Sequence, residues 1–248
     1  MVYLLQSVLL GALVVFNVAV AAPAIATDVR CPPVIGESGV QVRLPPSFDD
    51  GASSEGWIPF YPTWYYKPWN MVFASNPANL ALRNFQYDPT PVDPANPTGQ
   101  VNDLGSFQVP NNDTVYTTYG VDTPSDSVCN VFNYAGTGIL AGATSEYSVL
   151  AWGCDEDSLP YYVNYATKTE LTQTPAGIDI MSTTDTGMDQ KTLDAVLSGL
   201  KALGNQEISD MADGMQPMTN DGGRDGMPRV NTCDDVCKSN QNLLAILG

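Results

Sequence analysis

The chain predicts an all-β fold: an eight-stranded antiparallel up-and-down barrel with one C-terminal amphipathic α-helix packed outside it. Three observations carry this. Eight short apolar or aromatic runs of strand length succeed one another between Trp64 and Ser182, separated by turn residues and by no crossover helix. Two runs alternate strictly, Val128, Asn130, Phe132 and Tyr134 against Cys129, Val131 and Asn133, and Tyr147, Val149 and Ala151 against Ser148, Leu150 and Trp152. That period of two marks a sheet whose faces meet different surroundings. After the last run, Leu193, Val196, Leu197, Leu200 and Leu203 recur at helical spacing and give one dry face to bury.

The first 27 residues read as an export signal and a short spacer. Val8 to Val20 is apolar apart from Gly11 and Asn17, and Ala19 with Ala21 places small residues for cleavage after Ala21. The run is shorter than the ~20 residues that cross a bilayer, so no stable membrane insertion is expected and the product should be secreted and extracellular. Residues 1–21 are therefore assigned to the signal and 22–60 to an N-terminal arm punctuated by Cys31-Pro32-Pro33, Pro45-Pro46 and Asp49-Asp50-Gly51. Residues 61–209 form the barrel plus helix, and 210–248 a tail.

Within the barrel, strands are expected over 64–73, 79–87, 105–109, 115–121, 128–135, 146–152, 160–168 and 177–182. A Pro- and Asp-rich insert over 88–98 must be a loop. The helix is expected over 189–203, with Asp189 near its start and Gly204 as its stop. In the tail, Thr232 with Asp235 would cap a short helix running toward Leu243, Leu244 and Leu247. Eight strands can split into a sandwich or close into a barrel. Closure removes exposed edges, and a barrel of this size can hold one small ligand.

Composition narrows the chemistry. There are 27 acidic and 10 basic side chains, a net charge of −17, so no nucleic-acid partner is expected and anionic membrane surfaces are poor partners. With no histidine in the chain, Ser-His-Asp, Cys-His and His-ligated zinc sites cannot form within it. Asp185-Thr186-Gly187 spells the aspartic protease triplet, but there is no second copy to share its proton, and a turn before the helix is the expected structure. Asp155-Glu156-Asp157 lacks the frame of a calcium loop and is expected as a turn. The 27 acids leave a carboxylate-pair hydrolase as an alternative, without singling out a pair. No metal site is expected, Cys233 and Cys237 lacking further ligands.

Five cysteines, Cys31, Cys129, Cys154, Cys233 and Cys237, can form two disulfides and leave one thiol, which permits a homodimer or higher oligomer. Spacing alone leaves the connectivity open. Asn112-Asp113-Thr114 is an N-glycosylation acceptor beside the turn residues Pro110-Asn111.

The order of signal, cysteine-containing arm, tryptophan at the first strand, eight-strand meander and single helix resembles the lipocalin family over roughly residues 31–215. Cys31-Pro32-Pro33-Val34 followed by Trp64-Tyr65 resembles the secreted members that include apolipoprotein D and invertebrate pigment carriers. Tyr147-Ser148-Val149-Leu150, then Asp155 and Tyr161, resembles the strand F to strand G passage. The first family motif reads Pro62-Thr63-Trp64, without its glycine, and the arginine expected after the last strand is Thr183. Trp64 therefore needs another cation, Arg83 or Lys67.

The resemblance implies a Cys31–Cys154 bridge and a second one tying Cys129 to Cys233 or Cys237. It also implies transport or storage of a small hydrophobic molecule in the barrel: a carotenoid, bilin, retinoid, steroid or fatty acid. No cofactor is required, although a bound hydrophobic chromophore (carotenoid or bilin) would suit the family. Tyr66, Trp69, Phe85, Tyr116, Phe132, Tyr134, Tyr147 and Tyr165 are the aromatic candidates for the ligand wall, and the 88–98 insert is the candidate mouth loop. A secreted structural or interaction protein with an empty barrel is the alternative.

Overall fold

A computed structural model describes residues 31, 39–49 and 56–246. The expected signal over 1–21 lies outside the described residues, as does most of the arm before residue 39. The strands are β1 (Trp69–Ala74), β2 (Arg83–Tyr87), β3 (Thr90–Pro91), β4 (Val101–Val109), β5 (Asn112–Pro124), β6 (Val131–Gly136), β7 (Thr144–Cys154), β8 (Pro160–Ala166), β9 (Gly177–Ser182) and β10 (Gln216–Pro217). Eight of them, all but the two-residue β3 and β10, pair antiparallel in the order β1-β2-β4-β5-β6-β7-β8-β9. β9 then returns to β1 through Asn70↔Ser182, Met71↔Met181, Phe73↔Ile180 and Ala74↔Asp179. The sheet is thus a closed eight-stranded antiparallel barrel.

Two expected strands begin late because proline and asparagine start helices in front of them. Pro62 fixes the first turn of a short helix (Pro62–Tyr65), which carries Trp64, so Trp69 and not Trp64 opens β1. Pro77 and an Asn76 side chain that accepts from the Ala78 amide at 2.8 Å start another (Pro77–Leu80), and β2 begins only at Arg83. Lys67 is the cation beside Trp64: its Nζ lies 4.4 Å from the ring centroid and donates to the Trp64 carbonyl. Arg83 instead pairs with Asp113 and Asp221.

The first helix residues plug one end of the barrel. Tyr65 stacks between Phe60 and Phe132, with centroids 5.3 and 5.7 Å away, and Trp64 meets Trp152 at 4.6 Å. Trp69 abuts Tyr162 edge-on at 4.7 Å. The insert over 88–98 lies at this closed end, where the Tyr66 hydroxyl donates to the Pro97 carbonyl at 2.6 Å. It is therefore not a mouth loop. The opposite end carries the β1–β2, β4–β5, β6–β7 and β8–β9 connections.

Outside, two helices follow the last strand where one was expected. The first (Gln190–Ala202) is capped by Asp189, whose Oδ1 accepts from the Thr192 amide at 2.9 Å, and it stops before Gly204 at φ +75°. The second (Gln206–Asp213) starts on an Asn205 cap. Leu193, Val196, Leu200 and Ile208 bury against Ile178, Ile180, Val163 and Tyr161 on the outer faces of β8 and β9. Full burial contributes roughly 1.5–3 kcal/mol for each such aliphatic side chain. The arm threads alongside: Val42 contacts Gly199, and the buried Arg43 guanidinium donates to the carbonyls of Val149 (2.8 Å), Cys129 (2.7 Å) and Asn130 (3.1 Å).

Cys31 is bonded to Cys154, as the family resemblance implied. The second bridge differs: Cys233 joins Cys237, and Cys129 is the free thiol, exposed. The tail helix (Asp235–Lys238) is capped by Asp234 and not by Thr232.

The tail also repairs an edge. β6 pairs β5 only from Gly120 onward, which leaves the Thr117 and Tyr119 backbone of β5 without a strand partner on that side. Asn240 accepts from the Tyr119 amide and donates to its carbonyl, at 2.8 and 2.9 Å. Asn242 does the same for Thr117, at 2.8 and 3.2 Å. Two side-chain amides thus stand in for a strand.

Asn240→Ala should uncap Tyr119 and cost about 1–3 kcal/mol, because a buried amide and carbonyl lose their partners. Hydrogen exchange at the Tyr119 and Thr117 amides would quicken ahead of exchange elsewhere in the wall; unchanged protection there would refute the strand-substitute role. Without reductant, a thiol-specific alkylating reagent should label the chain once, at Cys129, by peptide mass mapping.

Candidate functional site

Between the aromatic plug and the opposite end lies a cavity of about 350 Å³. Its size sits at the lower end of the range for small-molecule pockets. Inward positions alternate with outward ones, so β4 contributes Asp103 and Phe107, β5 Thr118, β7 Ser145 and Tyr147, and β9 Asp179 and Met181. Small inward residues make the room. A Cβ on Gly105 would come within 2.6 Å of Thr118 Oγ1 and 3.0 Å of the Phe85 ring, and one on Gly120 would strike the Tyr134 ring.

The eight aromatic candidates divide by place. Phe85, Tyr134 and Tyr147 line this cavity. Tyr66 and Phe132 line a smaller one of about 230 Å³ at the closed end, with Tyr65. Trp69 lines neither of the two; it is fully buried in the plug, its Nε1 donating to the Tyr65 carbonyl at 2.8 Å. Tyr116 packs at the rim against Phe107 and Leu243, and its hydroxyl accepts from Asn112 Nδ2 at 2.9 Å. That bond engages the amide of the glycosylation motif. Tyr165 is on the outer face, edge-on to Phe48 at 5.5 Å.

Sequence reasoning did not single out the polar groups of the interior. Asp103 and Asp122 lie on adjacent strands, close enough for one carboxyl to feel the charge of the other. The Tyr87 hydroxyl lies 3.4 Å from Asp122 Oδ2, and Tyr65 donates to Tyr87 at 2.9 Å. Across the wall, Asp179 accepts from Asn79 Nδ2 at 3.0 and 3.1 Å, with Asn164 beside it on the adjacent strand. Loss of solvation raises all three carboxyls: Asp103 and Asp179 to about 6, and Asp122 well above the ordinary carboxylate value because it also faces Asp103. Asp103 is half-buried and touches the cavity space. Among the described residues no Lys or Arg lines the cavity, so none of them offsets the negative charge there.

The sequence did carry a signal for these residues. Asp179 is flanked by Ile178 and Ile180, and Asn164 by Val163 and Tyr165; those apolar neighbours face the helices outside, which turns the polar side chain inward. Elsewhere, Asp185-Thr186-Gly187 is the expected turn, with Gly187 at φ +85°. Asp155 likewise organises a turn, its Oδ1 accepting from the Asp157 and Leu159 amides. Among the described residues, no group of three or more His, Cys, Asp or Glu could hold a metal ion, and no helix is long and apolar enough to cross a membrane.

No family model matches the chain. Botcinic acid biosynthesis cluster B protein 12 of Botryotinia fuckeliana (strain B05.10) is 29% identical over 201 residues, covering 79% of this chain and 89% of that protein. Among solved structures, apocrustacyanin C2 superposes with a TM-score of 0.48 at 11% identity, covering 75% of this chain and 93% of its own. Lobster apocrustacyanin A1 gives 0.44 at 9% identity (63% and 77%), and the cockroach allergen Per a 4 gives 0.45 at 16% (66% and 90%). The barrel is established by this chain's own strand pairings.

The raised carboxyls set a pH dependence of stability. Between the unfolded carboxylate value of about 3.9 and the folded value of about 6, the folded chain binds more protons than the unfolded one, so stability falls as pH rises. Each of Asp103 and Asp179 should contribute a loss on the order of 2 kcal/mol between about pH 4 and about pH 7. Urea unfolding across that interval should show it, and Asp179→Asn should flatten the slope. A stability that climbs over the same interval would contradict the placement of these acids.

Proposed function

We propose that the chain is an extracellular carrier that binds a small hydrophobic molecule in the 350 Å³ cavity, for transport or storage. The observation that supports this most directly is the hollow itself: a closed barrel that is plugged at one end and left unfilled toward the other. Burying a ligand's apolar surface there would contribute roughly 25 cal/mol for each Å² removed from water. Phe85, Tyr134 and Tyr147 supply the aromatic wall, with Tyr66 and Phe132 behind it at the closed end. The two disulfides fit an oxidising compartment. The similarity to a protein named for a botcinic acid biosynthesis cluster favours a small organic molecule as the occupant. A cavity this size favours a compact ligand, so a long carotenoid chromophore would extend beyond the mouth.

Organic-solvent extraction of protein taken gently from its source should release a small molecule, seen by absorbance and mass spectrometry. An empty extract would count against the carrier reading. Rebinding of that molecule should weaken roughly tenfold in Tyr147→Ala, which removes part of the wall. Gly120→Ala should weaken it too, by pushing the Tyr134 ring into the cavity, whereas exposed Asp185→Asn should leave it unchanged.

A further inference from the structure

The interior contains an unmet demand for hydrogen-bond donors. Asn164 is 1% exposed and lines the cavity, and its Oδ1 has no partner. Asn164 and Asp179 are register partners on adjacent strands, so the free oxygen and the carboxylate sit side by side. Asp179 is 7% exposed; its side-chain hydrogen-bond donor is the neutral Asn79, and the neutral Asn164 lies beside it. Deeper in the barrel, Asp122 Oδ1 is another buried acceptor without a donor. The groups around this space from every strand are acids, tyrosines, amides, hydroxyls and apolar side chains, with Asp103, Tyr87, Tyr134, Tyr147 and Tyr162 the titratable ones besides Asp179.

Resting on the carrier reading above, we propose that the occupant is an apolar molecule bearing a protonated amine, its ammonium seated between the Asp179 carboxylate and Asn164 Oδ1. An ammonium supplies several N–H donors and one positive charge. It would complete both acceptors at once and neutralise a carboxylate that now has none but uncharged neighbours. A ligand carboxylate would do the reverse, adding an acceptor and a negative charge to a site that already has both in excess. Fatty acids and bilins with ionised propionates are therefore disfavoured, while the apolar body still fits against Phe85, Phe107 and Met181.

Calorimetry on the disulfide-intact full chain near neutral pH, with decylamine, decanol and decanoate below their micelle concentrations, separates the outcomes. Decylamine should bind at least tenfold tighter than decanol, and decanoate weakest of the three. Asp179→Asn should abolish the preference for the amine over decanol; exposed Asp185→Asn should preserve that preference, excluding a general attraction to the acidic chain. Decanol binding as tightly as decylamine, decanoate matching it, or an amine advantage that survives Asp179→Asn would overturn the ammonium site and leave the carrier reading standing. Binding of none of the three would overturn both. Because the three-ligand comparison uses the unaltered chain, it decides the matter even if a variant fails to fold.

Discussion

The antiparallel seam between β1 and β9 makes the wall continuous, and the helices laid over the neighbouring strands decide which way its side chains point. Once Gln190–Ala202 covers the outer faces of β8 and β9, the apolar residues Ile178, Ile180 and Val163 must face outward to meet it. Alternation then leaves Asp179 and Asn164 no direction but inward. The chemistry of the cavity is thus a consequence of where the helix docks. A strand with this pattern and no helix on it would turn the other way, placing its acids in water.

The two ends of the barrel are built differently, and the difference creates the pocket. At the closed end the large rings of Trp64, Tyr65, Trp69, Trp152 and Tyr162 fill the lumen, a density of aromatic packing that offsets the polar groups further along. Toward the mouth, inward positions fall to Gly105, Thr118, Gly120, Ser145 and Ala166, and the volume opens. The same gradient in side-chain size accounts for the tail. Where β5 outruns β6, its backbone would be an exposed edge, and the Asn240 and Asn242 amides close it from outside without adding bulk inside.

Strand number, strand order, the helix and its Asp189 cap were legible because each is written in local periodicity and turn chemistry. The last strand was read with the bounds it has, since Gly177 and Ser182 punctuate it. The first strand was misplaced because Trp64 looks like strand material, while Pro62 two residues earlier commits it to a helix. The second disulfide was missed for a related reason: Cys233 and Cys237 are close along the chain, and the family pattern pointed Cys129 toward the tail instead. Of the eight aromatic candidates, three lie on the main cavity, because period-two patterning identifies two faces without saying which is interior. Tyr165 and Tyr116 alternate as faithfully as Tyr147 does, yet one lies under the arm at Phe48 and the other is spent on the rim.

The inward acids were passed over for a deeper reason, even though the apolar flanks of Asp179 marked its direction. A reader assigns polar residues of a strand to solvent because burying them is costly, and that rule holds only where nothing on the inside needs them. Here three carboxyls and an unpaired amide oxygen occupy a barrel with no cation among its cavity-lining residues. Apolar residues of similar volume would fill the same space at lower free energy. Of these groups, Asp103, Asn164 and Asp179 border the hollow, while Asp122 lies deeper in the barrel. The cost carried by the groups on the cavity wall is relieved by whatever enters the cavity and supplies donors, so at Asp179 and Asn164 the departure from the folding rule and a capacity to bind coincide.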